Sequence, residues 1–180
     1  MILIIAGTHR PGSNTQKVAG TIHRHYLAAG QDAEIYSLAE MPADIFSPAA
    51  YATKPQAWLA VQQRVLDARG LHVVTPEYNG SFPGVLKHFI DMLKFPESFE
   101  KKPVAFVGNS AGVWGGLRAV EQLQMIFGYR NAYAFPERVF IPAVHTKLDD
   151  AGRLTDADLD ARLSKQVVGF DAFISAVGGR

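Results

Sequence analysis

The chain alternates between short runs of apolar residues and longer segments in which apolar residues recur every third or fourth position. A short apolar run bounded by turn formers is typical of a buried β-strand, and the longer spacing is typical of an amphipathic helix. The short runs predict five strands, at residues 2–6, 33–38, 71–75, 104–107 and 139–141. The longer pattern predicts five helices, at residues 14–29, 58–68, 83–94, 115–127 and from 155 onward.

Two stretches carry more specific expectations. Residues 41–55 contain three prolines and aromatic side chains at Phe46 and Tyr51, so we predict an irregular connection there. Thr155 is followed three residues later by Asp158, a variant of the capping box, which places the start of the last helix at Thr155.

Strands that alternate with helices indicate βαβ units, which build a parallel sheet with helices on both faces. We therefore predict an α/β fold with a doubly wound five-stranded parallel sheet. A chain of 180 residues suffices for one domain, so we expect a single domain over residues 1–180. The flavodoxin-like strand order 2-1-3-4-5 is the natural candidate, although periodicity by itself does not determine the order.

Composition removes several classes of function. The net charge of +1 gives no strong field for nucleic acid, and no apolar run approaches the roughly 20 residues that cross a bilayer. The N-terminus lacks the form of a signal peptide. The absence of cysteine excludes disulfides, thiolate metal sites and cysteine catalysis. We expect a cytoplasmic protein that binds neither nucleic acid nor membranes.

Neither a metal site nor a side-chain nucleophile is predicted. His23 and His25 are two residues apart, and on a helix their side chains diverge by about 200°. Ser110 has no evident triad partner, and no G-x-S-x-G turn is present.

In a doubly wound sheet, ligands bind beyond the carboxyl ends of the strands, where the winding reverses. For the order 2-1-3-4-5 this point lies between strands 1 and 3. The loops to consider therefore follow strands 1, 3 and 4, at residues 8–17, 75–84 and 108–116. These three loops also have the least ordinary composition in the chain.

The first loop combines hydroxyl side chains with a cation and precedes a helix. The N–H groups at the start of a helix favour an anion, and the guanidinium of Arg10 can hold two phosphate oxygens. Thr8, Ser13, Asn14 and Thr15 add neutral donors. The alternative is an ordinary helix cap, for which Ser13 and Asn14 would suffice without a ligand.

The other two loops are each open to two interpretations. The loop at 75–84 has two prolines and two glycines, and Tyr78 could stack on a planar ligand or pack against the domain. The loop at 108–116 has four glycines, which allow backbone N–H groups to approach a ligand or simply permit close packing. Trp114 is more typical of a hydrophobic cover or a subunit contact than of catalysis.

Taken together, these loops resemble the NAD(P)H-dependent FMN reductase family, which includes quinone, azo-dye and chromate reductases. The resemblance lies in GTHRPGS at 7–13, PEYNGSFPGVLK at 76–87 and the serine–glycine loop at 110–116, and it spans nearly the whole chain. The second motif is long and specific. Three departures are Thr15, where many members have Asn, Met92, where Trp is common, and the bulk of Trp114.

The resemblance implies non-covalently bound FMN, with NADPH or NADH as co-substrate. By position, the phosphate would be held by Thr8, Arg10, Ser13 and Thr15, with Asn14 and Gln16 nearby. The isoalloxazine would be bordered by Pro76, Glu77, Tyr78 and Asn79, and on its other edge by Ser110 and Gly112. The side-chain donors around a monophosphate suit a mononucleotide better than a dinucleotide.

The activity implied is an FMN-dependent NAD(P)H oxidoreductase. Hydride would pass from NAD(P)H to the flavin and then to a quinone, free flavin or similar small acceptor in a ping-pong reaction, with no catalytic side chain. The family also implies a homodimer or homotetramer. The alternatives are a flavodoxin-type electron carrier, which the charge of +1 disfavours because such carriers are usually acidic, and a flavin-dependent sensor.

Overall fold

A computed structural model of the protein describes residues 1–178. Its strands are β1 (Ile2–Ala6), β2 (Ala33–Ser37), β3 (Gly70–Pro76), β4 (Pro103–Asn109) and β5 (Tyr133–Ile141). Its α-helices are α1 (Asn14–Ala28), α2 (Gln56–Asp67), α3 (Gly84–Met92), α4 (Leu117–Tyr129) and α5 (Ala157–Val177). All strand pairs are parallel and the order is β2-β1-β3-β4-β5, which confirms the predicted fold class and strand order.

Successive side chains of each strand point to opposite sides of the sheet. Because helices cover both sides, both faces of the sheet are buried. On one side, Leu3 and Ile5 of β1 belong to a core that includes Trp58 of α2, Phe89 of α3 and Leu123 of α4. On the other side, residues of β1 pack with α1 and α5. The continuous apolar runs of the sequence are explained by this double coverage.

The register places the carboxyl ends of the strands at one edge of the sheet. Ala6 lies beside Val74, Thr75 beside Gly108, and Asn109 beside Ile141. The loops that follow β1, β3 and β4 therefore converge, as the strand order requires.

The edge strand β5 starts six positions earlier than predicted, at Tyr133 rather than at residue 139. Its first half is largely exposed, and Pro136, Glu137 and Arg138 separate the apolar residues at 132–135 from those at 139–141. Pairing with β4 is irregular here, with a register shift between Val104 and Phe106. Gln166 of α5 fills this gap, because its amide nitrogen donates to the carbonyls of Phe106 and Glu137 at 3.0 and 2.9 Å.

Helix starts also differ from the sequence expectation. The cap of α5 is Asp156, whose carboxylate accepts from Leu159 N at 3.1 Å, and not Thr155, whose N–H donates to the carbonyl of Lys147. Helix α4 starts at Leu117 because the two preceding glycines have positive φ. The irregular connection at 41–55 contains two short 3-10 turns, at 43–46 and 48–51.

Within residues 1–178, no helix combines the length and apolar character needed to cross a bilayer. The same part of the chain contains no group of three or more histidine, aspartate or glutamate side chains placed to hold a metal ion.

Candidate functional site

A cavity of about 370 Å³ opens at the carboxyl edge of the sheet, where the winding reverses between β1 and β3. It is lined by residues 10–15, 76–78, 109–111 and 144. The first three groups are parts of the loops singled out by the sequence. The volume falls within the range of roughly 300–1,000 Å³ found for small-molecule sites.

One end of the cavity is formed by the start of α1. Ser13 is the cap of this helix, and its hydroxyl oxygen accepts from Gln16 N at 3.1 Å. The backbone N–H groups of Asn14 and Thr15 have no hydrogen-bond partner among the described residues. Helix capping and anion binding are thus compatible here, because capping uses one lone pair of Ser13 and leaves its proton and two N–H groups free.

Arg10 lies beside this helix start and is exposed. It lines the cavity, and its guanidinium forms no ion pair or hydrogen bond with any residue from 1 to 178. A planar cation without a protein partner, next to free N–H groups, makes this end of the cavity suited to an oxyanion such as a phosphate.

The two threonines of the loop connect it to its neighbours. The hydroxyls of Thr8 and Tyr78 lie 3.0 Å apart. The hydroxyl of Thr15 donates to Asn109 Oδ1 at 3.1 Å, and the amide of Asn109 donates to the carbonyl of Thr75 at 3.2 Å. The proton of Thr15 is therefore already used, and this side chain fixes the three loops relative to one another.

The loop after β3 folds into a tight hairpin turn. Tyr78 N donates to Ser81 O at 2.8 Å and Ser81 N donates to Tyr78 O at 3.1 Å. Asn79 and Gly80 have φ of 53° and 77°, the values of a type I′ turn. The Asn-Gly dipeptide is the usual sequence signal for such a turn. Asn79 is exposed and does not line the cavity, whereas Tyr78 does.

Glu77 lines the cavity, and its side chain is only 11% exposed. Oε1 accepts from the guanidinium of Arg118 at 3.0 Å. Oε2 is buried and has no hydrogen-bond partner among the described residues. The backbone N–H of Glu77 donates to the carbonyl of Asn109 at 3.1 Å, and this bond holds the base of the hairpin against β4.

Most glycines of the loop after β4 serve packing. A Cβ on Gly108 would lie 2.7 Å from the carbonyl oxygen of Gly115, and one on Gly116 would lie 2.6 Å from Asn109 N. A Cβ on Gly112 would meet nothing closer than Ser110 Oγ at 3.9 Å. Of the two interpretations of this glycine-rich loop, close packing explains Gly108 and Gly116.

Most of the predicted site residues line the cavity, but Thr8, Gln16, Asn79 and Gly112 do not. The cavity is also lined by residues that the sequence did not predict, namely Pro11, Gly12, Asn109, Ala111 and Val144. Asn109 could have been recognised as a polar residue at the end of β4. Val144 has no such signal, since it reaches the cavity only because its N–H donates to the carbonyl of Ser110 at 3.0 Å.

Comparison with known proteins gives a consistent assignment. The family model described as NADPH-dependent FMN reductase matches residues 1–146. The chain is 31% identical over 183 residues to a quinone reductase of Escherichia coli K12, covering 98% of this chain and 96% of that one. It is 33% identical over 116 residues to an FMN-dependent NADPH-azoreductase of Staphylococcus aureus USA300, covering 62% and 61%.

Among solved structures, the fold is similar to that of FerB, a flavoenzyme NAD(P)H:(acceptor) oxidoreductase from Paracoccus denitrificans. The TM-score is 0.81 and the identity 23%, with 97% of each chain covered. At this identity the similarity concerns the fold alone.

Proposed function

The chain belongs to the NADPH-dependent FMN reductase family, and from that premise we propose that it reduces a quinone or a similar small acceptor. The enzyme uses FMN as cofactor and NAD(P)H as electron donor. The quinone reductase that aligns over nearly the full chain supports the acceptor class. The observation that carries the proposal is the cavity itself, which has free cationic and N–H donors at one end and a rigid turn at the other.

The residues present fit FMN. At the helix end, the proposal assigns the phosphate to Arg10, to the hydroxyl of Ser13 and to the N–H groups of Asn14 and Thr15. These groups supply charge-assisted hydrogen bonds and the positive end of the helix dipole. Thr8 and Gln16 do not line the cavity, so their proposed role is to support the loop through Tyr78 and Ser13 and not to contact the phosphate.

The other end of the cavity suits a flat ring. The proposal places the isoalloxazine against Pro76, Glu77 and Tyr78 on one side and Ser110 on the other. Asn79 and Gly112 shape these two loops without facing the cavity. The hairpin and the bonds of Asn109 fix the loops in advance, so little ordering is required when the ring binds.

FMN, when bound, supplies the redox chemistry by accepting a hydride from NAD(P)H and passing on two electrons. The protein supplies position and electrostatics. No side chain is assigned as an acid or base, because Glu77 is paired with Arg118 and the hydroxyl of Tyr78 is held by Thr8. We propose that donor and acceptor occupy the same open side of the cavity in turn, which gives ping-pong kinetics.

Spectroscopy and steady-state kinetics test the proposal. Purified protein supplied with FMN is expected to bind it, to bleach with NADPH under anaerobic conditions and to regain its colour on addition of a quinone. Double-reciprocal plots at several quinone concentrations should be parallel. Bleaching without sustained NADPH consumption would indicate an electron carrier, and absence of FMN binding would contradict the proposal.

The proposal includes a homodimer or homotetramer in the cytoplasm. Phe46, Tyr51 and Trp114 are 52%, 65% and 55% exposed, and large exposed apolar side chains favour an interface. Light scattering at micromolar concentration should give at least twice the monomer mass of 19.7 kDa. A monomer would contradict this part of the proposal.

A further inference from the structure

Glu77, in the hairpin after β3, lines the cavity and carries a largely buried carboxylate. Because its side chain is only 11% exposed, solvent screens its charge less than it screens a surface carboxylate. One oxygen has one partner, the guanidinium of Arg118, and the other has none among the described residues. The negative charge is therefore compensated from one direction only.

Arg118 lies outside the cavity, in the first turn of α4, and is 51% exposed. Its guanidinium carbon lies 5.5 Å from the centre of the Trp114 ring, so the cation rests between an aromatic face and Glu77. This position allows Arg118 to act on the cavity through Glu77 without touching a molecule bound there.

A neighbouring residue of α4 provides a neutral counterpart. Gln122, one helical turn after Arg118, accepts from the hydroxyl of Ser81 at 2.6 Å and donates to the carbonyl of Gly80 at 3.1 Å. Helix α4 thus holds the same hairpin at two places, once through a charged pair and once through neutral bonds. The mechanical and electrostatic contributions can be separated by mutation.

We propose that the Glu77–Arg118 pair sets the reduction potential of the bound flavin. Glu77 disfavours the reduced cofactor, and Arg118 is a positioning residue that offsets this effect. The inference rests on the proposed function, which places the isoalloxazine beside Glu77. Reduction adds negative charge to the ring, and like charges in a poorly screened site repel each other. The protein therefore holds reduced FMN less tightly, relative to oxidised FMN, than it would without Glu77.

The test measures the ratio of the dissociation constants for oxidised and reduced FMN. The constant for oxidised FMN comes from fluorescence titration, and the potential of the loaded protein from anaerobic dye equilibration. Glu77→Gln keeps the shape and an acceptor for Arg118, and it should favour reduced FMN by about tenfold, which is about 30 mV for a two-electron couple. Arg118→Met should shift the ratio by a similar factor in the opposite direction, and Arg118→Lys should restore most of it.

Two controls isolate the charge. Gln122→Met removes the neutral attachment of the hairpin and should leave the ratio at its wild-type value. In the Glu77→Gln background, Arg118→Met should shift the ratio by less than it does alone, because only the screened charge of the half-exposed guanidinium is then lost.

An Arg118→Met protein with an unchanged potential and a raised KM for NADPH would overturn the inference, because Arg118 would then bind the co-substrate. An equal shift in Gln122→Met would also overturn it, since hairpin position would be the cause. If wild-type protein binds FMN and all variants share its potential, this inference fails and the proposed function stands. If wild-type protein binds no FMN, both fail.

Discussion

The loop after β1 and the loop after β4 are both unusual in composition, yet the structure uses them in opposite ways. In the first, the guanidinium of Arg10 and two backbone N–H groups have no partner in the described part of the chain. In the second, neighbouring backbone atoms occupy the space that a Cβ on Gly108 or Gly116 would need. Composition alone does not separate a binding loop from a packing loop. Unpaired polar groups beside a cavity distinguish a loop that is suited to binding from one that serves packing.

The largest effect is expected from filling the packed loop. Gly116 has φ of 89° and an added Cβ would lie 2.6 Å from Asn109 N, so Gly116→Ala should lower the free energy of unfolding by about 3 kcal/mol. Urea denaturation of the cofactor-free protein measures this. Gly112→Ala is the matched control and should change stability by less than about 0.5 kcal/mol, since a Cβ there would make only an ordinary contact with Ser110 Oγ at 3.9 Å. Equal losses in both variants would remove the distinction between a packed and an open glycine.

The next prediction concerns the unpaired groups of the first loop. Arg10→Ala should weaken FMN binding by about 1.5–3 kcal/mol, the value of hydrogen bonds to a charged group, and riboflavin binding much less. Because the guanidinium of Arg10 has no partner in residues 1–178, the unfolding free energy should hardly change. Fluorescence titration with both ligands measures the effect.

The matched control for that experiment is Lys17→Ala. Lys17 is an exposed cation on the same segment, but it does not line the cavity. An equal loss for FMN and riboflavin in Arg10→Ala would contradict a phosphate contact. An equal loss of FMN binding in Lys17→Ala would show that only the general charge of the loop matters.

The same contrast explains what the sequence could and could not predict. Strand β1 was predicted with its observed bounds because both of its faces are buried. The loop after β1, which lines the cavity, was singled out because its side chains are unusual. The first half of β5 was missed because Pro136, Glu137 and Arg138 interrupt the apolar pattern of this edge strand. The bond from Thr15 to Asn109 was also missed, because it joins residues 94 positions apart and depends on the strand order. Sequence patterns indicate which residues are locally buried. Which hydrogen bonds a polar group forms depends on residues that are distant in the sequence.

A third prediction asks whether an unpaired polar atom matters away from the cavity. His72 is fully buried in the sheet, with Nδ1 2.9 Å from the hydroxyl of Tyr26, and Nε2 has no hydrogen-bond partner within residues 1–178. Burial lowers the pKa of His72 from 6.5 to about 4, and the nearby Gln166 side chain partly offsets that shift. Such an atom cannot recruit a ligand, because solvent does not reach it. Its unpaired state should instead appear as acid sensitivity.

The sign follows from the lowered pKa. Above pH 6.5 the ring is neutral in both states, and as the pH falls from 6.5 towards 4 the unfolded chain binds the proton first. Stability should therefore drop by about 2 kcal/mol between pH 7.5 and pH 5. Urea denaturation at both pH values measures the loss. A Tyr26→Phe, His72→Phe double variant removes both polar partners and should lose less over this range; an equal loss would assign the effect to other groups.

The smallest effect is expected where an unusual residue is already paired. Tyr78 lines the cavity, but its hydroxyl lies 3.0 Å from that of Thr8, so Tyr78→Phe removes one loop contact and keeps the ring. A net hydrogen bond is worth about 1 kcal/mol, so turnover with saturating FMN should fall by no more than roughly fivefold. Asn79→Pro, in the same turn, should reduce turnover far more, because Asn79 has φ of 53° and proline is restricted to about −65°. Steady-state NADPH oxidation compares the two. A thousandfold loss in Tyr78→Phe with FMN still bound would make the hydroxyl a reacting group, and pairing would then no longer distinguish a structural residue of this site from a chemical one.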